Sequence, residues 1–300
     1  MFLSVFFFNS ATTRLLLAIL PWLLGNSDPA IFTGEEYFRL GLYEEAITEY
    51  QRYLFFHAHD PQNFFGYVYY RMGITYRNQG LWNEAITALE KSIQSETGDL
   101  SRERRRLDLG VTLIACRRHS QAEFLLLKLE LYSPFLEIRR YASLYRGLSC
   151  LYEEKWTEAQ EAFKSFCDID QDPSMAEAKV RIRMIIRDME YTRLKSAKLA
   201  KALSTILPGA GQIYSKELPS GLNALLINAA TFYLVLSDAL NQRYFDALFN
   251  LIFLFERFYS GNRHNAGQAA QQYNRRQSEQ IIDKILKIFD ESRSHPCPIS

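Results

Sequence analysis

Small residues recur along this chain in pairs of fixed internal spacing: Gly34 with Ala46, Gly73 with Ala85, Gly110 with Ala122, and Gly147 with Ala159, each pair twelve residues apart. From one pair to the next the shift is 39, 37 and 37 residues. A period of this size accommodates one helix-turn-helix unit and its connection, so the repeat predicts a stack of antiparallel helix pairs. A small residue midway along a helix lets its neighbour approach closely, and bulky side chains on either side fill the groove between them. In the second unit those side chains are Tyr69, Met72 and Tyr76, then Gly80 at the turn, then Trp82, Ile86 and Leu89. Tyr37, Gly41, Tyr43, Ile47 and Tyr50 repeat the arrangement in the first unit, and Leu151, Trp156 and Phe163 in the fourth.

The segments Leu42-Tyr43-Glu44-Glu45-Ala46-Ile47, Leu81-Trp82-Asn83-Glu84-Ala85-Ile86 and Lys155-Trp156-Thr157-Glu158-Ala159-Gln160 are nearly superimposable. Residues 28–172 therefore resemble the tetratricopeptide repeat family. The third unit departs most from the pattern, with Arg117, Arg118 and His119 where a turn glycine and an aromatic residue are expected, and it rests on Gly110, Ala122, Pro134 and the period. The resemblance implies an all-α superhelix of about four helix pairs, with a groove that binds a protein or peptide partner and no catalytic residues. The eight small residues are structural positions of the repeat.

Beyond the repeats, Asp172-Pro173 is a helix start, with the aspartate as cap and the proline in the first turn. Ser174 to Lys201 then reads as one long capping and linking helix, within a segment at 173–202, with an apolar stripe at Val180, Met184, Ile185, Met189 and Leu194. Two hydrophobic stretches follow at 203–261. Leu218 to Leu240 has no charge before Asp238 and is long enough to span a bilayer; Tyr244 to Ser260 carries Asp246 near one end and Glu256-Arg257 near the other. Residues 262–300 read as a polar helix and tail.

Pro208-Gly209-Ala210-Gly211-Gln212-Ile213-Tyr214 resembles the opening of small bacterial two-helix membrane modules that begin with a PGxGQxY sequence, with Ser215-Lys216 here in place of the usual following glycine. The resemblance covers 199–276 and implies a membrane hairpin opened by Pro208, Gly209, Gly211, Gln212 and Tyr214. Similar modules occur in chains related to membrane-protein insertion efficiency factors, which implies an accessory role in insertion or assembly as the alternative function. Pro208 ends the preceding helix, and Gly209 and Gly211 permit positive φ or close backbone contact. The glycines do not make a phosphate cradle, because no Lys-Ser/Thr pair follows and no strand precedes them.

At the amino terminus, Arg14 precedes the apolar run Leu15 to Leu24, closed by Gly25-Asn26-Ser27. Residues 1–27 read as a signal peptide, with a retained anchor as the alternative because Phe2 to Phe8 occupies the place of a charged leader. With 35 basic and 34 acidic side chains the chain offers no field for a polyanion, so no nucleic-acid partner is expected. The basic cluster Arg102, Arg104, Arg105 and Arg106, interrupted by Glu103 and Asp108, reads as a solvated helix face. His57, His59 and Asp60 lack a helical partner to complete a metal site. Cys116, Cys150, Cys167 and Cys297 show no zinc spacing and read as packing residues; in an exported chain a disulfide is open, with no pair chosen by spacing. Asn223 and Asn228 need partners across helices in hydrocarbon, either on the second apolar segment or on another copy.

No nucleophile with its base and no nucleotide fingerprint is present, so the expectation is no enzyme, no cofactor, no metal and no small-molecule substrate. The function expected is a membrane-anchored scaffold for protein–protein interaction in the bacterial envelope, whose partners are a protein or peptide and membrane lipid. A third reading, without a membrane, makes 218–260 a buried helical pair capping the stack. A signal peptide places the repeats outside the cytoplasm. Lys195, Lys198 and Lys201 before the hairpin, and Arg257, Arg263, Arg275 and Arg276 after it, favour cytoplasmic repeats by the positive-inside tendency. Export is preferred, because a cleaved signal commits the large domain before the hairpin emerges.

Overall fold

The computed structural model describes residues 28–60, 64–169 and 173–294. The segment read as a signal peptide or anchor, the cap at Asp172 and Cys297 lie outside these residues. The fold is all-α, a tetratricopeptide-like solenoid with no strand among the described residues, and the chain divides into two compact units between Arg183 and Met184.

Among the described residues the first unit contains four helix pairs. They are α1 (Pro29–Leu40) with α2 (Tyr43–Phe56), α3 (Phe65–Asn78) with α4 (Trp82–Gln94), α5 (Asp99–Ala115) with α6 (His119–Tyr132), and α7 (Leu136–Tyr152) with α8 (Trp156–Asp168). Helix α1 begins where Asp28 accepts from the Ala30 N–H at 2.7 Å with Pro29 in the first turn, a charged cap on donors that have no partner inside the helix. It ends at Gly41, φ +78°, where the Leu42 N–H returns to the Tyr37 carbonyl at 2.9 Å. Gly80, φ +76°, closes α3 in the same way. At the third and fourth turns the left-handed residue is Arg117 (φ +63°) and Glu154 (φ +59°), with the same closing bonds from Arg118 to Leu113 and from Lys155 to Cys150. The backbone turn is thus retained where the sequence has abandoned glycine.

Each repeat glycine faces a large side chain sixteen positions on. A Cβ built on Gly34 would lie 2.6 Å from the Tyr50 ring, one on Gly73 2.8 Å from Leu89 and one on Gly110 2.7 Å from Leu126, and one on Gly147 would strike the Phe163 ring. Ala46, Ala85, Ala122 and Ala159 are fully buried, as are Tyr50, Leu89, Leu126 and Phe163. Burying each of these four large side chains is worth about 1.5–3 kcal/mol, which ties the two helices of a pair together at their midpoints.

The long helix expected over Ser174 to Lys201 is not continuous. A 3-10 turn at Pro173–Met175 leads into α9 (Ala176–Tyr191), the chain leaves helical conformation at 192–196, and α10 (Ala197–Ile206) starts afresh. The break has a physical cause: the Asn274 side-chain amide pairs with both backbone groups of Lys195, at 2.8 and 3.0 Å, while Ser196 Oγ caps the new helix at Leu199 N–H. The apolar stripe is also shifted. Ala178, Ile182, Ile185, Ile186 and Met189 are buried, whereas Val180 and Met184 are exposed.

In the second unit, α11 (Ala210–Tyr214), α12 (Leu218–Leu240) and α13 (Tyr244–Phe249) follow α10, then a π-helical stretch Asn250–Phe255 and α14 (Glu256–Ser294). Helical conformation therefore runs unbroken from the second apolar segment into the long C-terminal helix. Two further left-handed turns, Lys216 (φ +63°) and Gln242 (φ +61°), repeat the closing bond of the solenoid turns, from Glu217 N–H to the Gln212 carbonyl at 2.8 Å and from Arg243 N–H to the Asp238 carbonyl at 2.9 Å. Five residues beyond the left-handed residue of each of these six turns stands a buried small one: Ala46, Ala85, Ala122 and Ala159 in the solenoid, Gly221 and Ala247 here. One local device thus builds the helix hairpins of both units.

Candidate functional site

Side-chain bonds in the solenoid run from the first helix of one pair to the first helix of the next. Glu35 on α1 grips Arg71 on α3 through two bonds, at 2.5 and 2.6 Å, and also accepts from the Tyr50 and Tyr67 hydroxyls. Burial works against the Arg71 charge, but Glu35 more than offsets it and raises the Arg71 pKa. The guanidinium also lies 4.2 Å from the Phe38 ring centroid. Between α3 and α5, Tyr70 bonds the fully buried Asp108, whose carboxyl is pushed up to about 6 by burial, with Arg77, Tyr70 and Arg105 acting in the opposite direction. Arg77 Nε and Nη1 and Asp108 Oδ1 have no hydrogen-bond partner among the described residues. Nothing in the sequence pattern singled out Tyr70 and Arg77, and Asp108 stood out only as an interruption of the basic cluster, because each alone reads as an ordinary helix residue.

Arg102 pairs with Asp99 at 3.0 Å, Arg104 with Glu137 at 3.4 Å, Arg105 with Glu96 and Arg106 with Glu103, so the basic cluster is neutralised within the fold. His57 is held by Asp28 at 3.1 Å and stacks on Tyr53. Among the described residues no group of three or more potential metal ligands is gathered. Burial raises the Cys150 thiol to about 12 and raises that of Cys167, which leaves both protonated and poor nucleophiles. Both are free thiols, as is Cys116. Large apolar side chains are exposed on α6, namely Phe124, Leu131 and Tyr132.

The motif residues of the second unit meet in a buried polar knot. Gly211 N–H donates to Ser204 Oγ at 2.9 Å, and Ser204 Oγ donates to Gln212 Oε1 at 3.0 Å. Gln212 Nε2 donates to Asn262 Oδ1 at 2.8 Å, and Asn262 Nδ2 reaches the Ser204 carbonyl at 3.3 Å. Gly209 N–H donates to the same Asn262 oxygen at 3.2 Å. Ser204, Gln212 and Asn262 are each no more than 4% exposed, so this network satisfies groups that would otherwise be costly to bury. Gly209, φ +91°, and Gly211 have no room for a side chain: a Cβ would strike the Gly221 and Ala200 carbonyls respectively. Pro208 precedes this turn, and the Tyr214 hydroxyl accepts from the Ser196 N–H at 3.3 Å. The structure thus brings Gly209, Gly211, Gln212 and Tyr214 to the foot of α12 with Ser204 and Asn262, two partners the motif itself does not contain.

From this foot rises α12, 23 residues packed against α11 at its base and against α13, the π-helical stretch and α14, with most of its large apolar side chains exposed. Asn228 is buried and donates to the Ala224 carbonyl at 2.8 Å, with its Oδ1 unpartnered among the described residues; Asn223 is exposed. Asn250 Nδ2 donates to Asp238 Oδ2 at 2.8 Å near the hairpin tip.

Repeated helix pairs closed by left-handed turns and keyed by a small residue against a large one define a protein of the helical-repeat class. A family model described as tetratricopeptide repeat matches residues 67–96, the span of α3 and α4. No curated protein and no solved structure matches the chain. Tetratricopeptide repeats are typically non-catalytic modules of protein–protein interaction, which is the role the matched segment supports.

Proposed function

We propose that the chain is an interaction scaffold of the bacterial envelope, in which the repeats capture a protein or peptide and the hairpin 203–261 fixes it in the membrane. The observation that carries the membrane part is the outer surface of α12. Nine large apolar side chains on it, from Leu218 through Leu226 and Phe232 to Leu240, are 44% or more exposed. Moving nine half-exposed side chains from water into hydrocarbon is worth about 10 kcal/mol, and a 23-residue helix measures about 35 Å against a bilayer core of about 30 Å. A buried capping pair would instead cover this face, and only 17% of its most apolar window is buried.

Carbonate washing of membranes carrying the full chain tests the reading. The chain is expected in the pellet, and release into the supernatant refutes it. Deleting 203–273 then separates scaffold from insertion accessory, since partner capture persists in the first and is lost in the second. Alkaline phosphatase fused after Asp172 and after Ser292 is expected to be active at both sites; activity at neither places the repeats in the cytoplasm.

A further inference from the structure

At the foot of the hairpin two ammonium groups converge on one aromatic ring. Lys195 Nζ lies 4.5 Å from the Tyr214 ring centroid and 5.7 Å from that of Tyr273, and Lys216 Nζ lies 5.3 Å from the Tyr273 centroid. The carboxylate next in sequence, Glu217, is engaged by Arg276 at 2.8 Å, so neither lysine has a carboxylate partner among the described residues.

Both lysine backbones are held in place. Asn274 bonds the N–H and the carbonyl of Lys195, and Lys216 occupies a left-handed turn closed by bonds from its own N–H and that of Glu217. Two like charges gathered beside one ring repel each other; the ring faces offset part of this, and an anion lying between them removes it. Lys216 stands two residues before Leu218, where the apolar helix begins, and tyrosines and lysines at such a boundary occupy the headgroup layer of a bilayer.

We propose that Lys195 and Lys216, with Tyr214 and Tyr273, bind the phosphate headgroup of an anionic phospholipid. This rests on the membrane reading of the hairpin. The site selects for negative charge and for the depth at which the headgroup lies, and it anchors the foot of α12 at the bilayer surface.

The test uses the full chain in nonionic detergent micelles doped with phosphatidylglycerol or with phosphatidylcholine, with binding read by thermophoresis. Binding is expected for phosphatidylglycerol and not for phosphatidylcholine, weakened about fivefold by K195Q or K216Q and about 25-fold by both together. K198Q removes a lysine of the same flank that touches neither ring and is expected to leave affinity unchanged. Equal losses in K195Q, K216Q and K198Q overturn the site in favour of diffuse charge, and no loss in any variant overturns it outright. Retention of binding in K195R/K216R is expected and guards against misfolding of the glutamine variants, since its loss alongside theirs refutes a charge-based site. Equally potent competition by inorganic phosphate overturns the lipid as occupant. A chain that carbonate strips from membranes defeats the membrane reading itself, whereas a carbonate-resistant chain without these lysine effects defeats only the headgroup site.

Discussion

Replacing Gly147 with Ala tests the close approach of α7 and α8 through the sign of its effect. In an exposed helix interior, glycine to alanine stabilises by about 1 kcal/mol, because alanine loses less backbone entropy on folding. At Gly147 the new methyl would lie 2.6 and 2.8 Å from two atoms of the Phe163 ring, where carbon atoms prefer about 3.5–4.0 Å. The ring has little freedom to yield, because Phe163 is fully buried and Ala159, one turn earlier on α8, is fully buried too. Overpacking of this kind costs about 1–3 kcal/mol. With the propensity gain subtracted, a net loss of about 1–2 kcal/mol is expected at the upper part of that range. Urea denaturation of a soluble fragment spanning 28–183, followed by helical circular dichroism, measures it. Gly261→Ala in the full chain is the control, since a Cβ there meets nothing within 4 Å and the change is expected to stabilise. A denaturation midpoint that rises in Gly147→Ala would show that α7 and α8 do not meet at this glycine.

At the third and fourth turns, Arg117→Gly and Glu154→Gly are each expected to raise stability by roughly 0.5–1 kcal/mol, since glycine relieves the left-handed strain while adding unfolded-state entropy; a lowered urea midpoint would contradict the turn geometry. Asp108 titrates in the folded state at about 6 against an ordinary value of 3.8, so the folded form holds a proton that the unfolded chain releases. Stability relative to the D108N variant is therefore expected to fall as pH rises from about 4 to about 6 and to level off above 7, read from urea midpoints across that range; a flat difference refutes the burial of this carboxyl. Asn262→Ala removes the acceptor shared by Gly209 and Gln212 and is expected to cost about 1–3 kcal/mol, seen as a lowered thermal midpoint of the full chain in detergent; an unchanged midpoint would mean the knot does not form.

The glycine and alanine period made the solenoid legible because small residues at a helix crossing have few substitutes: Gly73 cannot grow without displacing Leu89. The turns were legible only in part. Gly41 and Gly80 announce positive φ, whereas Arg117 and Glu154 adopt it under the pull of the surrounding helices, and no residue type signals that. The break before α10 was hidden for a different reason, since its cause is an asparagine 79 residues away. The same applies to the foot of the hairpin. Pro208 to Tyr214 read clearly as a turn, but Ser204 and Asn262 are ordinary polar residues until the fold brings them into the network. The continuity of the second apolar segment with α14 is not legible in the sequence, because the composition turns polar at 256 while the backbone stays helical.

The knot at the foot of the hairpin also sets an order of events during synthesis. Gln212 waits for Asn262, 50 residues further along the chain, and everything between them is the apolar hairpin and its return. At translation rates of about 5–20 residues per second, that interval lasts about 2.5–10 s. Through those seconds the loop at Gly209 to Gln212 has only the Ser204 bonds to hold it, and α12 is free to find its surroundings before the latch arrives. Closure comes last, once the returning helix delivers Asn262, so the latch records a placement already made rather than directing it.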